Sequence, residues 1–262
     1  MVTERGMGRP LLLLHGFTGA GRSWADHLDA FAGHARVLAP DLPGHGGTPA
    51  TATLAAMTVE ATADELAVYL ADEGALPAVV LGYSMGARIA LRLAVAHPEA
   101  VLGLILESPS AGIADPALRA ARQEADEALA ERLEWQGIGD FVTAWERNPV
   151  FATHAALEPE LLARQRAIRL ASEPAGLAAS LRAAGQGAME PLHDLLVAVT
   201  APTLVIGGTL DTIARPRAEA VAAGIPGAHL ELLEGVGHTP HLEAPAAFRR
   251  LVTEFLQEVP AA

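Results

Sequence analysis

The pentapeptide Gly82-Tyr83-Ser84-Met85-Gly86 constrains the fold of this chain more than any other segment. An apolar run, residues 78–81, leads into it and an Ala/Leu/Arg-rich run follows, which is the strand–turn–helix setting that presents a serine on a sharp turn. So tight a turn needs a small residue on each side, and Gly82 and Gly86 supply it. A helix starting at the serine leaves its first backbone N–H groups unpaired and directed at the site. The motif fixes how the serine is presented. It leaves open whether that serine attacks a carbonyl or takes a proton, and a merely structural Gly-Ser turn is the bland alternative.

The surrounding pattern is that of an α/β protein. Apolar runs at 11–14, 37–40, 78–83 and 101–107 read as buried strands, and residues 58–71 and 85–96 between them recur at helical spacing, with Thr58 as a cap. Apolar strands alternating with helices predict a mostly parallel sheet covered on both faces. In such sheets sites lie beyond the carboxyl ends of the strands, where His15, Asp41 and Ser84 all fall. From Pro109 the pattern changes. Residues 116–133, 138–145, 160–170 and 174–185 read as helices with no strand between them, so 109–190 is expected to be a helical cap inserted after the strand ending near Glu107. The sheet resumes at 203–207 and 229–233, with helices at 218–223 and 244–259, so that 1–108 and 191–262 form the core.

A serine needs a partner to act as nucleophile or base. His238, in Gly235-Val236-Gly237-His238 after the last strand, is the expected general base, and Asp211, after the strand ending near Gly207, would orient its imidazole. The order Ser, Asp, His along the chain is the one this fold uses. His241, three residues on, competes for the base role; His15 and His45 sit in loops that look architectural, and Asp211 could be a simple turn former. The backbone N–H groups of Met85 and Phe17 are the expected oxyanion donors, with Phe17 also a candidate apolar wall. Arg88 follows Ser84 by one helical turn on the same face. It is either a surface or ion-paired arginine or a carboxylate clamp on the floor of the site, and Tyr83 either donates to a ligand or packs.

Composition bounds the partners. The 262 residues carry a net charge of -13, and all 18 basic residues are arginine, whose planar guanidinium pairs bidentately with carboxylates. Nucleic acid and membrane are not expected partners, and a soluble cytoplasmic protein, monomeric or weakly homo-oligomeric, is. With no cysteine, thiol catalysis, thiolate metal sites and disulfides are excluded, and neither metal nor cofactor is expected. The cap contributes Arg119, Arg122, Arg132, Arg147, Arg164, Arg166, Arg169 and Arg182, and periodicity does not choose which faces inward.

Over nearly its whole length the chain resembles the α/β-hydrolase fold superfamily, and within it the 2-succinyl-6-hydroxy-2,4-cyclohexadiene-1-carboxylate synthases of menaquinone biosynthesis. His15-Gly16-Phe17-Thr18-Gly19, Ser23-Trp24 and Asp41-Leu42-Pro43-Gly44-His45-Gly46-Gly47 match loops found in many hydrolases, whereas Tyr83 before the serine combined with Arg88 is more selective. In the cap Glu107-Ser108-Pro109, Arg122-Gln123, Asp126, Phe141-Val142, Trp145, Asn148-Pro149-Val150-Phe151 and Arg169 follow that branch in order. The resemblance implies a lyase that eliminates pyruvate without water, metal or cofactor, with Ser84 as general base activated by His238 and Asp211. It implies a small polycarboxylate substrate held by Arg88 and Arg169 in a pocket lined by Tyr83, Gln123 and Trp145. The alternative is a carboxylesterase or carbon–carbon bond hydrolase with Ser84 as nucleophile. Three departures stand out. Only about nine residues precede the first core strand, so an N-terminal hairpin is expected to be missing or reduced; Thr209-Leu210 replaces a more charged approach to Asp211; and His193 stands where the branch often has an aromatic residue.

Overall fold

Four consecutive leucines, Leu11 to Leu14, are all fully buried, and they divide between two cores: Leu12 and Leu14 join the cluster on one face of the sheet, Leu11 and Leu13 that on the other. Val79 and Leu81 alternate with Ala78 and Val80 in the same way. A strand can be apolar on both faces only when both are covered, and the computed structural model, which describes residues 2–260, supplies that cover.

Seven strands form one sheet: β1 (Val2–Arg5), β2 (Pro10–Leu14), β3 (Arg36–Pro40), β4 (Ala78–Tyr83), β5 (Val101–Glu107), β6 (Thr203–Gly208) and β7 (His229–Leu233), in the order β1-β3-β2-β4-β5-β6-β7. All neighbours are parallel except β1, which runs antiparallel along β3. The sequence pattern gave no sign of β1, because Val2–Arg5 is half polar and largely exposed. An edge strand with one neighbour buries too little to leave an apolar signature.

The helices are α1 (Ala25–Ala32), α2 (Val59–Asp72), α3 (Met85–Ala96), α4 (Pro116–Trp145), α5 (Pro159–Leu170), α6 (Pro174–Ala184), α7 (Arg215–Gly224), α8 (Pro240–Glu243) and α9 (Pro245–Glu258). α2 and α3 pack in the core on one face, and α1 and α9 in that on the other. Thr58 caps α2 by accepting the N–H of Ala61 at 3.1 Å. Three helices, α4 to α6, lie between the adjacent strands β5 and β6, and α4 and α6 form a small core of their own around Leu133, Phe141, Val142, Leu177 and Leu181, with Phe17 and Trp145 packed against it. Within α4, Gly137 adopts φ 79° and breaks the helix, so its two halves correspond to the separate runs read from the sequence.

Strand order reverses between β2 and β4. β2 leads on to β3 at one side and β4 to β5 at the other, so loops leaving their carboxyl ends diverge and open a crevice. Ser84 sits at that crevice with φ 51° and ψ -102°. Two close approaches make the turn possible. A methyl at Gly82 would lie 2.3 Å from the Gly86 carbonyl oxygen, and one at Gly86 would lie 2.2 Å from that of Leu14.

Four histidines are buried neutral. Burial pushes His15 down to about 4, His27 to about 3, His45 to about 3 and His154 to about 4 from an ordinary 6.5. His15 is held in one tautomer, donating from Nδ1 to the Gly16 carbonyl at 2.8 Å and accepting the Leu42 N–H at Nε2 at 3.0 Å.

Two outcomes are expected. Gly86→Ala should lower the thermal midpoint or prevent folding, since overpacking against backbone costs about 1–3 kcal/mol or more. Stability should be full above pH 6.5 and fall as pH drops toward 4, because only the unfolded chain takes up protons on these histidines in that window. Each contributes about 2 kcal/mol of loss at pH 5. Thermal midpoints measured from pH 7.5 to 5 check the second; a flat profile would contradict it.

Candidate active site

The elbow is held from two sides. Ser84 donates its backbone N–H to the Glu107 carbonyl at the end of β5, at 2.9 Å, and its own carbonyl accepts the Arg88 N–H at 3.2 Å to start α3. A non-glycine residue at positive φ costs about 1–3 kcal/mol and persists only where its surroundings impose it. Here β4, β5 and the close seat of Gly86 against β2 impose it.

His238 Nε2 lies 3.1 Å from Ser84 Oγ, and His238 Nδ1 lies 2.6 Å from Asp211 Oδ2. The second oxygen of Asp211 accepts the backbone N–H groups of Ala214 at 2.8 Å and Ile213 at 3.2 Å. Burial alone would raise the Asp211 carboxyl, but the bond and charge of His238 and these two N–H groups outweigh it and hold the group below its ordinary value. A carboxylate fixed on three points holds Nδ1–H as the donor and leaves Nε2 facing the serine. Ser108, at φ 48°, donates its hydroxyl to the His238 carbonyl at 3.0 Å and pins the loop from below.

His241 is directed elsewhere. Its Nδ1 is 2.7 Å from Glu107 Oε1, which also accepts its backbone N–H at 2.9 Å, and both residues are buried. Its ring packs on Tyr83 at 4.8 Å between centroids. Burial and the charge of Glu107 raise the Tyr83 phenol well above its ordinary value, so Tyr83 stays a neutral hydroxyl.

A cavity of about 330 Å³ opens over Ser84 and His238. Phe17, Tyr83, Met85, Arg88 and Trp145 line it, as the sequence reading placed them. Among the described residues neither the Phe17 nor the Met85 backbone N–H has a protein acceptor. The Arg88 guanidinium is buried and among the described residues meets no carboxylate, only the Ala184 carbonyl at 2.8 Å and Met189 Sδ at 3.6 Å. Burial first, and then the charges of Arg122 and Arg217, push it down to about 10.

Two expected residues lie elsewhere. Arg169 is buried, but it bonds Glu146 at 3.0 Å and faces a smaller cavity that shares Tyr83 and Phe151 with the first. Gln123 is exposed on the outer side of α4, beside Glu124 and Asp126. Successive residues on a helix are turned about 100° apart, so the inward position of its neighbour Arg122 carries Gln123 away. In their place the cavity has Arg122, Gln186 and Arg217. Arg122 was one of eight cap arginines that periodicity could not separate. Arg217 had a usable signal, its position six residues after Asp211, at the start of a helix leaving the site.

Among the described residues, no group of three or more His, Asp or Glu side chains is placed to hold a metal ion, and no helix is long and apolar enough to cross a membrane.

Known proteins agree with this architecture. A model of the alpha/beta hydrolase family matches residues 11–251. The 2-succinyl-6-hydroxy-2,4-cyclohexadiene-1-carboxylate synthase of Enterobacter sp. (strain 638) is 32% identical over 247 residues, covering 94% of this chain and 91% of its own. A Bacillus subtilis (strain 168) protein that carries the same name provisionally is 32% identical over 249 residues, 95% of this chain and 90% of its own. Among solved structures, MenH from S. aureus superposes with TM-score 0.93 at 32% identity, covering 98% of this chain and 97% of that one. A thermophilic esterase from Thermogutta terrifontis, with malate bound, gives TM-score 0.88 at 30% identity over 100% of this chain and 94% of its own.

Asp211→Asn tests the orienting carboxylate. It keeps the shape and reverses the imidazole's preferred tautomer, so turnover should fall by about 10³–10⁴-fold with a thermal midpoint close to that of the unaltered protein. Near-normal turnover would remove Asp211 from the machinery.

Proposed function

Because the chain belongs to the alpha/beta hydrolase family, and its relatives named above are enzymes of that fold, we propose that it is a lyase of menaquinone biosynthesis. The reaction is elimination of pyruvate from 2-succinyl-5-enolpyruvyl-6-hydroxy-3-cyclohexene-1-carboxylate, giving 2-succinyl-6-hydroxy-2,4-cyclohexadiene-1-carboxylate. Residues 1–108 and 191–262 serve as the catalytic core and 109–190 as its cap. The observation that carries this reading is the cation wall. Arg88, Arg122 and Arg217 line the same cavity as Ser84 in a chain of net charge -13. An ester pocket has no need of three guanidiniums, whereas a substrate with carboxylates on its ring, its succinyl arm and its enolpyruvyl group does.

The chemistry follows from the geometry. Ser84 Oγ passes its proton toward His238 Nε2, 3.1 Å away, as it takes the ring proton beside the succinyl carbonyl. Asp211 stabilises the imidazolium that results. The broken C–H bond supplies the electron pair for a new ring double bond, the existing alkene shifts by one position, and the C–O bond to enolpyruvate breaks. Enolpyruvate leaves as its enolate, and the proton held on His238 is returned to its methylene carbon, which gives pyruvate and restores the neutral imidazole. The enolate oxygen that develops on the succinyl carbonyl is stabilised by the N–H groups of Phe17 and Met85, which have no acceptor among the described residues. The neutral Tyr83 hydroxyl and Trp145 bound the ring. Arg88, fixed one turn from the serine, holds a carboxylate at a set distance from the base. Arg169, occupied by Glu146, is left outside this arrangement.

One observation favours a second reading. The same serine, imidazole and free N–H groups could attack and stabilise an acyl group, and an esterase shares the fold at 30% identity. Incubation with freshly prepared succinyl-enolpyruvyl substrate decides between them. Pyruvate and the diene absorbance should appear together and disappear in Ser84→Ala, with a loss of at least about 10³-fold. Rapid turnover of simple esters with no pyruvate would establish the hydrolase instead.

A further inference from the structure

Arg217 stands apart from its neighbours on α7. Two residues earlier, Arg215 makes an ordinary surface pair with Glu219 at 2.8 Å. Arg217 turns the other way, into the catalytic cavity, and among the described residues its guanidinium meets only the side-chain oxygen of Gln186, at 3.3 Å. That oxygen also accepts from Arg122 Nη1 at 3.1 Å. One neutral amide oxygen thus serves two cations, one on the helical insertion and one on the helix that follows Asp211.

The local charge balance is unequal. Of the three arginines on the wall, only Arg122 has a carboxylate, Asp126 Oδ1 at 2.9 Å. Among the described residues, neither Arg88 nor Arg217 is ion-paired. Burial and then the charge of Arg122 lower the proton affinity of Arg217, partly offset by Asp211. Arg88 is buried and Arg217 half-buried, and cations drawn out of water beside one another with a single carboxylate among them cost free energy; an anion entering the cavity relieves that cost.

We propose that Arg217 is a substrate-binding residue that selects for polycarboxylates, gripping with Arg122 a second carboxylate at the seam between α7 and α4 while Arg88 holds the first beside Ser84. This identity of the ligand class rests on the lyase reading above, but the contact itself does not depend on which reaction Ser84 performs. Ser84 and Arg88 lie four residues apart in one segment, and Asp211 and Arg217 six residues apart in another. Both anchors are therefore set relative to the triad by the segments that carry it.

The test uses Arg217→Gln and Arg217→Lys, each checked for an unchanged far-ultraviolet spectrum and thermal midpoint. Two measurements are made. In calorimetry at low salt, the unreactive tricarboxylate tricarballylate should bind the unaltered protein and lose about 10- to 100-fold in affinity in Arg217→Gln. Arg217→Lys should recover part of the loss, and the monoanion butyrate should be unaffected. In kinetics with the succinyl-enolpyruvyl substrate, Arg217→Gln should raise KM by a similar factor with kcat changed less than about threefold, the signature of uniform binding. Tricarballylate affinity unchanged within twofold would overturn the proposal, as would an equal loss for butyrate. Tricarballylate binding through Arg217 without any pyruvate release would retain it and reject the lyase. Pyruvate release with an unchanged KM in Arg217→Gln would do the reverse.

Discussion

The rest of the site depends on the seat of Gly86 against the backbone of β2. Without a side chain there, α3 can begin hard against the end of the neighbouring strand, and Ser84 is forced to positive φ with its hydroxyl clear of the sheet. The same contact brings the first turn of α3 beside the loop after β2, so that Met85 and Phe17 line one cavity although 68 residues separate them. Strain at the serine is offset by the two cores that hold β4 rigid, and so part of the stability of the fold is expended on presenting one hydroxyl.

A second level of order surrounds the imidazole. Thr239, next to His238, donates its hydroxyl to Glu243 at 2.8 Å, and so its oxygen must accept from His154 Nε2 at 2.7 Å. His154 belongs to the inserted segment, while Glu243 also accepts the Gly237 and Thr239 N–H groups. The histidine loop is thereby tied to the helices above it as well as to Asp211 and Ser108 beneath it.

The elements that bury both faces, or one strong stripe, were legible from residue periodicity, which is why the central strands and α2 to α6 emerged near their observed limits. β1 was not, because an exposed edge strand carries no apolar alternation. The triad was legible because each member follows a strand and the turn chemistry is local. Tyr83, Arg88 and Trp145, singled out for the same reason or by resemblance, line the cavity. The remaining cations were a different problem. Whether Arg122 or Gln123 faces inward depends on how α4 is turned against α6, and whether Arg169 is free depends on Glu146, 23 residues away. Those are tertiary facts with no signature in spacing. Arg217 was passed over as well, although its position six residues after Asp211, on the helix leaving the site, was visible in the chain.

The cation wall has mixed parentage. Arg88 and Arg217 stand on segments that also carry Ser84 and Asp211, whereas Arg122 and Gln186 come with the stretch between β5 and β6. A descendant that exchanged this stretch for another would keep two positive charges beside Ser84 and Asp211 and lose the third, with the amide that links it to Arg217. On the proposed reading, anion preference is inherited with the segments that carry Ser84 and Asp211, and the insertion is left free to decide how large an anion, and of what shape, is admitted.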